Sequence, residues 1–355
     1  MRREDVLRVA LDARALQGEA TGVGRYIQAL TSAFAESPGL QLTLYRDQRP
    51  PLLGPQLLSP LRMRLDRADI VHGPANALPL VRYGLPGVVT IHDLAIYDHP
   101  EWFPAGQWFS TKVVVPQSIR SAELIICPSQ ATAKAVGRLF SIDAGRCRVI
   151  PHGVETEFAL PASATVRAEV RARYGLPDRY LLQVGTIQPR KNYLASLRAL
   201  ARIPAASRIP LIVVGSFGWN FEPVVDAVRE LDLTSWVRFV GYAPIDDMPA
   251  IYQMAEAALF PSLDEGFGLP VLEAFAAGTP MLASNAGAIP EVADGAALLV
   301  APEDDAALAA NLVRILSDRE LREQQVAAGR ARAALFTWSA SAAAHRAVYG
   351  SLACA

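Results

Sequence analysis

The sequence predicts an α/β protein of two Rossmann-like domains, each a doubly wound parallel sheet. Three observations carry this. Short apolar runs alternate with helical stretches through both halves of the chain, the pattern of strand–helix–strand units. Most runs stop at a glycine, a proline or a small polar residue that leads into the next helix. And 355 residues exceed what one hydrophobic core usually serves. The expected division is 1–155 and 156–337, followed by a last helix, 338–355.

In the first domain, Val6 to Leu11 reads as the opening strand. A polar loop follows, and the stretch from Thr21 opens a helix to about Ala35. Gly22 and Gly24 form a turn ahead of that helix that can hold a phosphate, but position 27 is Ile, so the dinucleotide fingerprint is incomplete. Leu40 to Tyr45 is the second strand. Residues 50–60, rich in Pro and Leu without a clear period, read as a loop. Asp69 to His72 ends one strand, and Gly87 to Leu94 is another that places His92 and Asp93 at its carboxyl end. Aromatics then bunch between prolines, from Tyr97 to Phe103 and at Trp108 and Phe109, where rings can stack on sugars, dip into lipid headgroups or cover the core. Lys112 to Ser121 is helical. Glu123 to Cys127 is a strand, Ser129 caps the helix from Ala131 to Phe140, and Arg148 to Val154 closes the domain.

In the second domain, Ala164 to Tyr174 is a short helix and Tyr180 to Gly185 the first strand. A loop carrying Arg190 and Lys191 enters a helix from about Asn192 to Arg202. Two adjacent cations at a helix start make an anion site, because fixed charge, backbone N–H groups and the helix dipole converge. Pro210 to Gly215 and Trp236 to Tyr242 are strands, and Asp247 to Ala255 a helix. Ala257 to Phe260 is a buried strand. After it, Glu265 stands before the turn Gly266-Phe267-Gly268, and Leu269 and Pro270 open a helix that carries Glu273 and stops at Gly278. One acid therefore sits on a loop at the carboxyl end of a strand and a second in the first turns of the next helix, where open α/β sheets bind ligands. The glycines let backbone N–H groups approach, and the helix start favours an anion. Thr279 to Ser284 and Ala297 to Val300 are further strands. Asp304 to Ser317 and Asp318 to Phe336 are helices, and Ala340 to Leu352 is the last. Asp246-Asp247 and Asp304-Asp305 read as helix caps.

Bulk properties narrow the function. The net charge is −1, which argues against nucleic acid. Residues 1–152 hold 17 Lys and Arg against 13 Asp and Glu, a net +4, and the remainder 17 against 22, a net −5. A mildly basic first half suits an anionic acceptor or membrane surface, and equally an ordinary surface. Cys127, Cys147 and Cys354 lack metal-ligand spacing and fit a reducing compartment. Met1-Arg-Arg leads into Glu4 and Asp5 without an apolar core, and no apolar run approaches 18 residues, so neither a signal peptide nor a membrane span is expected. The expected location is the cytoplasm, with peripheral contact at the inner face of a membrane as an option.

The two glutamates eight apart, with Gly-Phe-Gly-Leu-Pro-Val-Leu between them, resemble the signature of the retaining nucleotide-sugar glycosyltransferases called GT4, which have the GT-B fold. The spacing from Gly185 to Arg190-Lys191-Asn192 is a second GT4 landmark, and Pro151-His-Gly-Val154 resembles the GT-B interdomain linker. The resemblance covers essentially the whole chain and is strongest from about 180 to 300. It implies two domains facing a cleft, with the last helix crossing back to the N-terminal one. The N-terminal domain would bind the acceptor and the C-terminal one the donor.

The resemblance also implies roles. Glu273 would bind the ribose, and Glu265 the hydroxyls of the transferred sugar. Arg190 and Lys191, helped by Gly22 and Gly24, would stabilise the departing diphosphate. Gly185, Tyr242 and the stretch Gly266, Phe267, Gly268 and Leu269 would complete the donor site, with Tyr242 near the base. His92 would hydrogen-bond sugar or acceptor through its imidazole, with Asp93 and Trp102 on the acceptor side. The string from Asp98 to Pro104 resembles bacterial mannosyltransferase-like members, which implies mannose from GDP-mannose, passed to a saccharide or lipid-linked saccharide in polysaccharide assembly. A UDP-hexose donor, or epimerase or phosphorylase chemistry, is the alternative, and a non-catalytic binder is less favoured. No cofactor is expected. No Asp-x-Asp stands where a metal could bridge the diphosphate, so no metal is expected either.

Overall fold

The computed structural model describes residues 6–16, 22–35, 39–47 and 54–353; Thr21, Cys354 and residues 48–53 therefore lie outside it. The chain divides into two compact units. One comprises Met1–Asp98, Ala105–Gly153 and Thr337–Ala355, the other His99–Pro104 and Val154–Phe336.

The first unit holds strands β1 (Leu7–Asp12), β2 (Leu40–Tyr45), β3 (Ile70–Gly73), β4 (Gly87–Thr90), β5 (Leu124–Cys127) and β6 (Cys147–Val149) in a parallel sheet ordered β2-β1-β3-β4-β5-β6. Every residue of β3, β4 and β5 is buried, as expected for strands covered on both faces. Helices α1 (Gly22–Ala35), α2 (Ser59–Leu65), α3 (Ala95–Asp98), α4 (Val115–Ser121) and α5 (Gln130–Phe140) lie between the strands in sequence. Ser129 caps α5 as predicted, its Oγ accepting the Thr132 N–H at 3.0 Å. Of the expected loop at 50–60, the described residues 54–60 are helical instead. A π-turn, Gly54–Leu58, runs straight into α2. Pro60 does not break it, because it occupies the first turn, where its missing N–H costs nothing.

The second unit repeats the theme with β7 (Leu181–Val184), β8 (Leu211–Val214), β9 (Val237–Gly241), β10 (Ala257–Phe260), β11 (Met281–Ser284) and β12 (Leu298–Val300). Its parallel sheet is ordered β12-β11-β10-β7-β8-β9. Read from β9, this is the 3-2-1-4-5-6 order of a doubly wound fold, so the strand order reverses between β7 and β10. The helices are α6 (Ala164–Tyr174), α7 (Tyr193–Arg202), α8 (Glu222–Glu230), α9 (Met248–Met254), α10 (Leu269–Ala277), α11 (Ile289–Ala293), α12 (Asp305–Ser317) and α13 (Arg319–Ala333). Helix α8 was not predicted; it buries Val224 and Val228, one turn apart. Of the two predicted acidic caps, Asp304 accepts the Ala307 N–H at 2.8 Å. Asp247 does not cap α9; its carboxylate takes Arg173 Nη1 at 2.6 and 2.8 Å and the Tyr174 hydroxyl at 2.6 Å.

The last helix, α14 (Trp338–Ala353), belongs to the first unit, as the sequence predicts, and packs on α1, β1 and β3. Residues 99–104 depart from the expected boundary. They pack within the second unit, where the Trp219 indole N–H donates to the Trp102 carbonyl at 2.6 Å and Phe103 stacks on Trp219.

Candidate active site

The loops after β7 and β10 flank the point where the second sheet reverses its strand order, the place where such sheets bind ligands. Several backbone devices fix them. Gly185 ends β7 at φ +140°, where L side chains are strained. Gly215 lies so close that a Cβ on it would sit 2.1 Å from the Gly185 oxygen. Asn192 takes the left-handed conformation at φ +51°, and its amide donates to the carbonyls of Pro261 at 3.0 Å and Pro302 at 2.8 Å. The Leu263 N–H donates to the Arg190 carbonyl at 2.8 Å, and Gln183 Nε2 to the Lys191 carbonyl at 3.1 Å. The cationic loop and the acidic loop are thus one hydrogen-bonded body.

That body brings Glu265, Arg190 and Lys191 together. Glu265 Oε2 accepts from Arg190 Nη1 at 2.9 Å, and Oε1 from Lys191 Nζ at 2.6 Å. All three side chains are largely buried. Burial pushes the Glu265 carboxyl up, but Arg190 and Lys191 outweigh it and hold the group below its ordinary value, ionised at neutral pH. Arg190 also donates to the Asp264 carbonyl at 3.1 Å, and the Lys191 ammonium lies 4.8 Å from the Phe260 ring centre. One carboxylate against two cations leaves the cluster with a single net positive charge. Gly287, at φ +55°, backs the acidic loop: a Cβ there would meet Asp264 Oδ1 at 2.3 Å and the Glu265 oxygen at 2.4 Å.

Glu273 is buried in α10, where its Oε2 accepts the Tyr252 hydroxyl at 2.8 Å. Gly268, at φ +106°, starts that helix, and Gly266, Gly268 and Leu269 stand at its partly positive end. The Phe267 side chain turns away into the core against Phe336, so what it offers a ligand is backbone. Tyr242 follows β9 with its ring exposed. Sequence reasoning missed Tyr252, Gly287 and the clamping role of Asn192. Only Asn192 carried a signal, as the third residue of the Arg-Lys-Asn landmark.

The first unit carries the other predicted residues except Trp102. Gly22 and Gly24 open α1, and His92 and Asp93 follow β4. His92 is half-buried, with both ring nitrogens facing neighbours in the ligand-free chain. Its Nε2 donates to the Pro74 carbonyl at 2.7 Å, so Nδ1 is left as an acceptor, and His152 Nε2 faces it at 3.3 Å. Trp102 lies in the second unit, one face covered by His99 at a ring separation of 3.9 Å.

Beneath His92 runs a buried polar chain with one consistent direction. His345 Nδ1 must donate to the Ser341 carbonyl (2.7 Å), so its Nε2 accepts the Tyr26 hydroxyl (2.8 Å). Tyr26 then accepts from Thr90 (3.0 Å), Thr90 from His72 Nε2 (2.8 Å), and His72 Nδ1 from Tyr349 (2.7 Å). Burial first, and then repulsion from His92 and His345, holds His72 and His152 well below the ordinary imidazole value. Burial likewise lowers His92, against the opposing Pro74 carbonyl and Asp93, and pushes His345 down to about 4.

Two family descriptions match the chain: Glycosyl transferases group 1 over residues 166–332, and Glycosyltransferase Family 4 over residues 32–158. The chain is 34% identical over 302 residues to the O-antigen chain mannosyltransferase B of Escherichia coli, covering 82% of this chain and 78% of that one. It is 31% identical over 234 residues to the serotype-specific mannosyltransferase WbdA of Escherichia coli, covering 64% of this chain but only 28% of that longer protein. Among solved structures, the sucrose-phosphate synthase of Thermosynechococcus elongatus superposes with a TM-score of 0.80 at 24% identity, over 98% of this chain and 99% of that one. The fold is therefore GT-B.

Proposed function

This chain belongs to glycosyltransferase family 4, and on that basis we propose that it moves a hexose from a nucleoside-diphosphate sugar to a saccharide or lipid-linked saccharide in surface-polysaccharide assembly. We assign donor binding to the second unit and acceptor binding to the first. The mannosyltransferase relatives and the string from Asp98 to Pro104 favour mannose from GDP-mannose. The observation that carries the reading is the Glu265 carboxylate held between Arg190 and Lys191 at the switch point of the second sheet.

The proposed chemistry follows from that charge arrangement. The sugar's C1–O bond to the diphosphate breaks while the acceptor oxygen bonds C1 on the same face. The acceptor proton passes to the leaving phosphate, and configuration is retained without a protein nucleophile. Negative charge grows on the diphosphate, and Arg190 and Lys191 stabilise it most when it is largest. As the diphosphate takes over the two cations, Glu265 turns to the sugar hydroxyls. The cation pair supplies the charge a metal would, so we propose that no divalent ion is needed.

Thermal melting with GDP, GDP-mannose, UDP and ADP, all in chelator, tests this. A ligand at 100 times its dissociation constant stabilises the fold by about 2.7 kcal/mol. The expected result is a shift with GDP and GDP-mannose. A UDP preference would discard the mannosyl assignment, and turnover that depends on inorganic phosphate would point to phosphorolysis instead. Loss of the shift or of turnover in chelator would refute metal independence.

Tyr252 provides a second test. Glu273, assigned to the ribose, is oriented by the Tyr252 hydroxyl. A hydrogen bond to a charged group contributes about 1.5–3 kcal/mol, so Tyr252→Phe should raise the donor KM roughly ten- to a hundredfold with kcat little changed. An unchanged KM would remove Tyr252 from the site.

A further inference from the structure

The outward face of residues 57–65 is unusually apolar for a solvated helix. Leu57, Leu61 and Leu65 recur every four residues and are 39%, 39% and 72% exposed. On a helix this spacing makes one stripe. The opposite face is fixed to the unit: Gln56, Ser59, Pro60 and Met63 are buried, and Gln56 Oε1 accepts the Leu80 N–H at 2.7 Å. The leucines are therefore not displaced core residues. Arg62 and Arg64, both exposed, fall on either side of the stripe, and exposed Arg67 follows the helix. The opposing charge is small. Asp66 lies 3.6 Å from Arg62 and also accepts the Tyr45 hydroxyl at 2.7 Å. From residue 46 to 67 the sequence holds five arginines and two aspartates, a net +3.

We propose that this face is where the protein rests on an anionic lipid bilayer, with the leucines in the acyl boundary and the arginines among phosphate headgroups. An apolar stripe flanked by arginines matches the interface chemically, since one surface there offers both hydrocarbon and negative charge. A second copy of the chain fits less well. Symmetric pairing of this stripe would set the flanking arginines of one copy close to those of the other. The inference deepens the reading of a lipid-linked acceptor and rests on it only for what the bilayer carries.

Co-sedimentation of the full chain with phosphatidylcholine vesicles, with and without phosphatidylglycerol, tests it. Wild type should sediment with the anionic vesicles, stay in solution with the neutral ones, and be released by high salt. Arg62→Gln/Arg64→Gln should weaken binding about thirtyfold, taking about 1 kcal/mol for each charge near the surface. Leu61→Ser/Leu65→Ser should weaken it roughly tenfold or more. The residues are exposed, so both variants should keep the wild-type melting temperature and its GDP-induced shift. Wild type that ignores anionic vesicles would overturn the proposal. So would variants that sediment like wild type, or a solution dimer that the leucine variant dissolves. If wild type binds vesicles but no nucleotide shifts its melting, the donor assignment falls and the membrane surface stands.

Discussion

Glu265→Ala is expected to cut transfer a hundred- to a thousandfold, the effect of losing one transition-state contact of roughly 2.7–4 kcal/mol. Arg190→Ala should cost turnover by a similar factor, but the two should differ in binding. Glu265 ion-pairs with both cations in the ligand-free protein, so removing it takes away a carboxylate that competes with a diphosphate for them, and nucleotide affinity should hold or rise. Removing Arg190 takes away half of that charge, and affinity should fall. The fold should survive both changes. In Glu265→Ala, Arg190 retains the Asp264 carbonyl and Lys191 the Phe260 ring. Steady-state kinetics with nucleotide-binding isotherms on both variants reads this out. Near-normal turnover in either would refute its role, and parallel loss of binding in both would refute the competition between Glu265 and the diphosphate.

Acid should unfold the first unit over a narrow range. His72 and His345 are fully buried, and His152 nearly so, all held neutral. Their folded values lie below the ordinary imidazole value of about 6.5, so the unfolded chain takes up protons first. Stability is complete above that pH and falls as pH drops below it, levelling for His345 beneath about 4. Three such groups together remove about 4 kcal/mol for each pH unit once all are engaged. A domain's whole stability is about 5–15 kcal/mol, so roughly one to four pH units should suffice. Urea melts at pH 7.5, 6 and 5 should show the midpoint falling steeply. A midpoint independent of pH between 7 and 5 would mean that the imidazoles protonate within the folded unit.

The second unit was legible from sequence for a physical reason. Ala257–Phe260 and its neighbours are short buried runs, and the residues after them, Arg190, Lys191 and Glu265, sit on the loops such a sheet turns toward a ligand. Both features are local. The cluster of buried histidines is not: His72, His152 and His345 lie far apart in the sequence, each looks like an isolated polar residue, and only tertiary packing gathers them. The partners of His92, Pro74 and His152, are hidden from the sequence for the same reason, being distant in the chain. The helix over residues 54–60 is not legible in the sequence, since Pro60 marks a loop interior and a helix start equally well. Helix α8 is led by Phe221 rather than a capping side chain, so its start is marked only by Glu222 and Pro223 in the first turn.

The last helix also sets an order of events during synthesis. Tyr26 and His72 are made early, but their partners His345 and Tyr349 come 319 and 277 residues later. The second unit, Val154–Phe336 for all but six residues, is translated before them. On the ribosome, therefore, the half begun first is the half completed last. Until α14 is made, the sheet of the first unit is missing a cover, and its polar chain lacks His345 and Tyr349. A fragment ending near residue 336 should leave the first unit open to proteases and chaperones, with the second already closed.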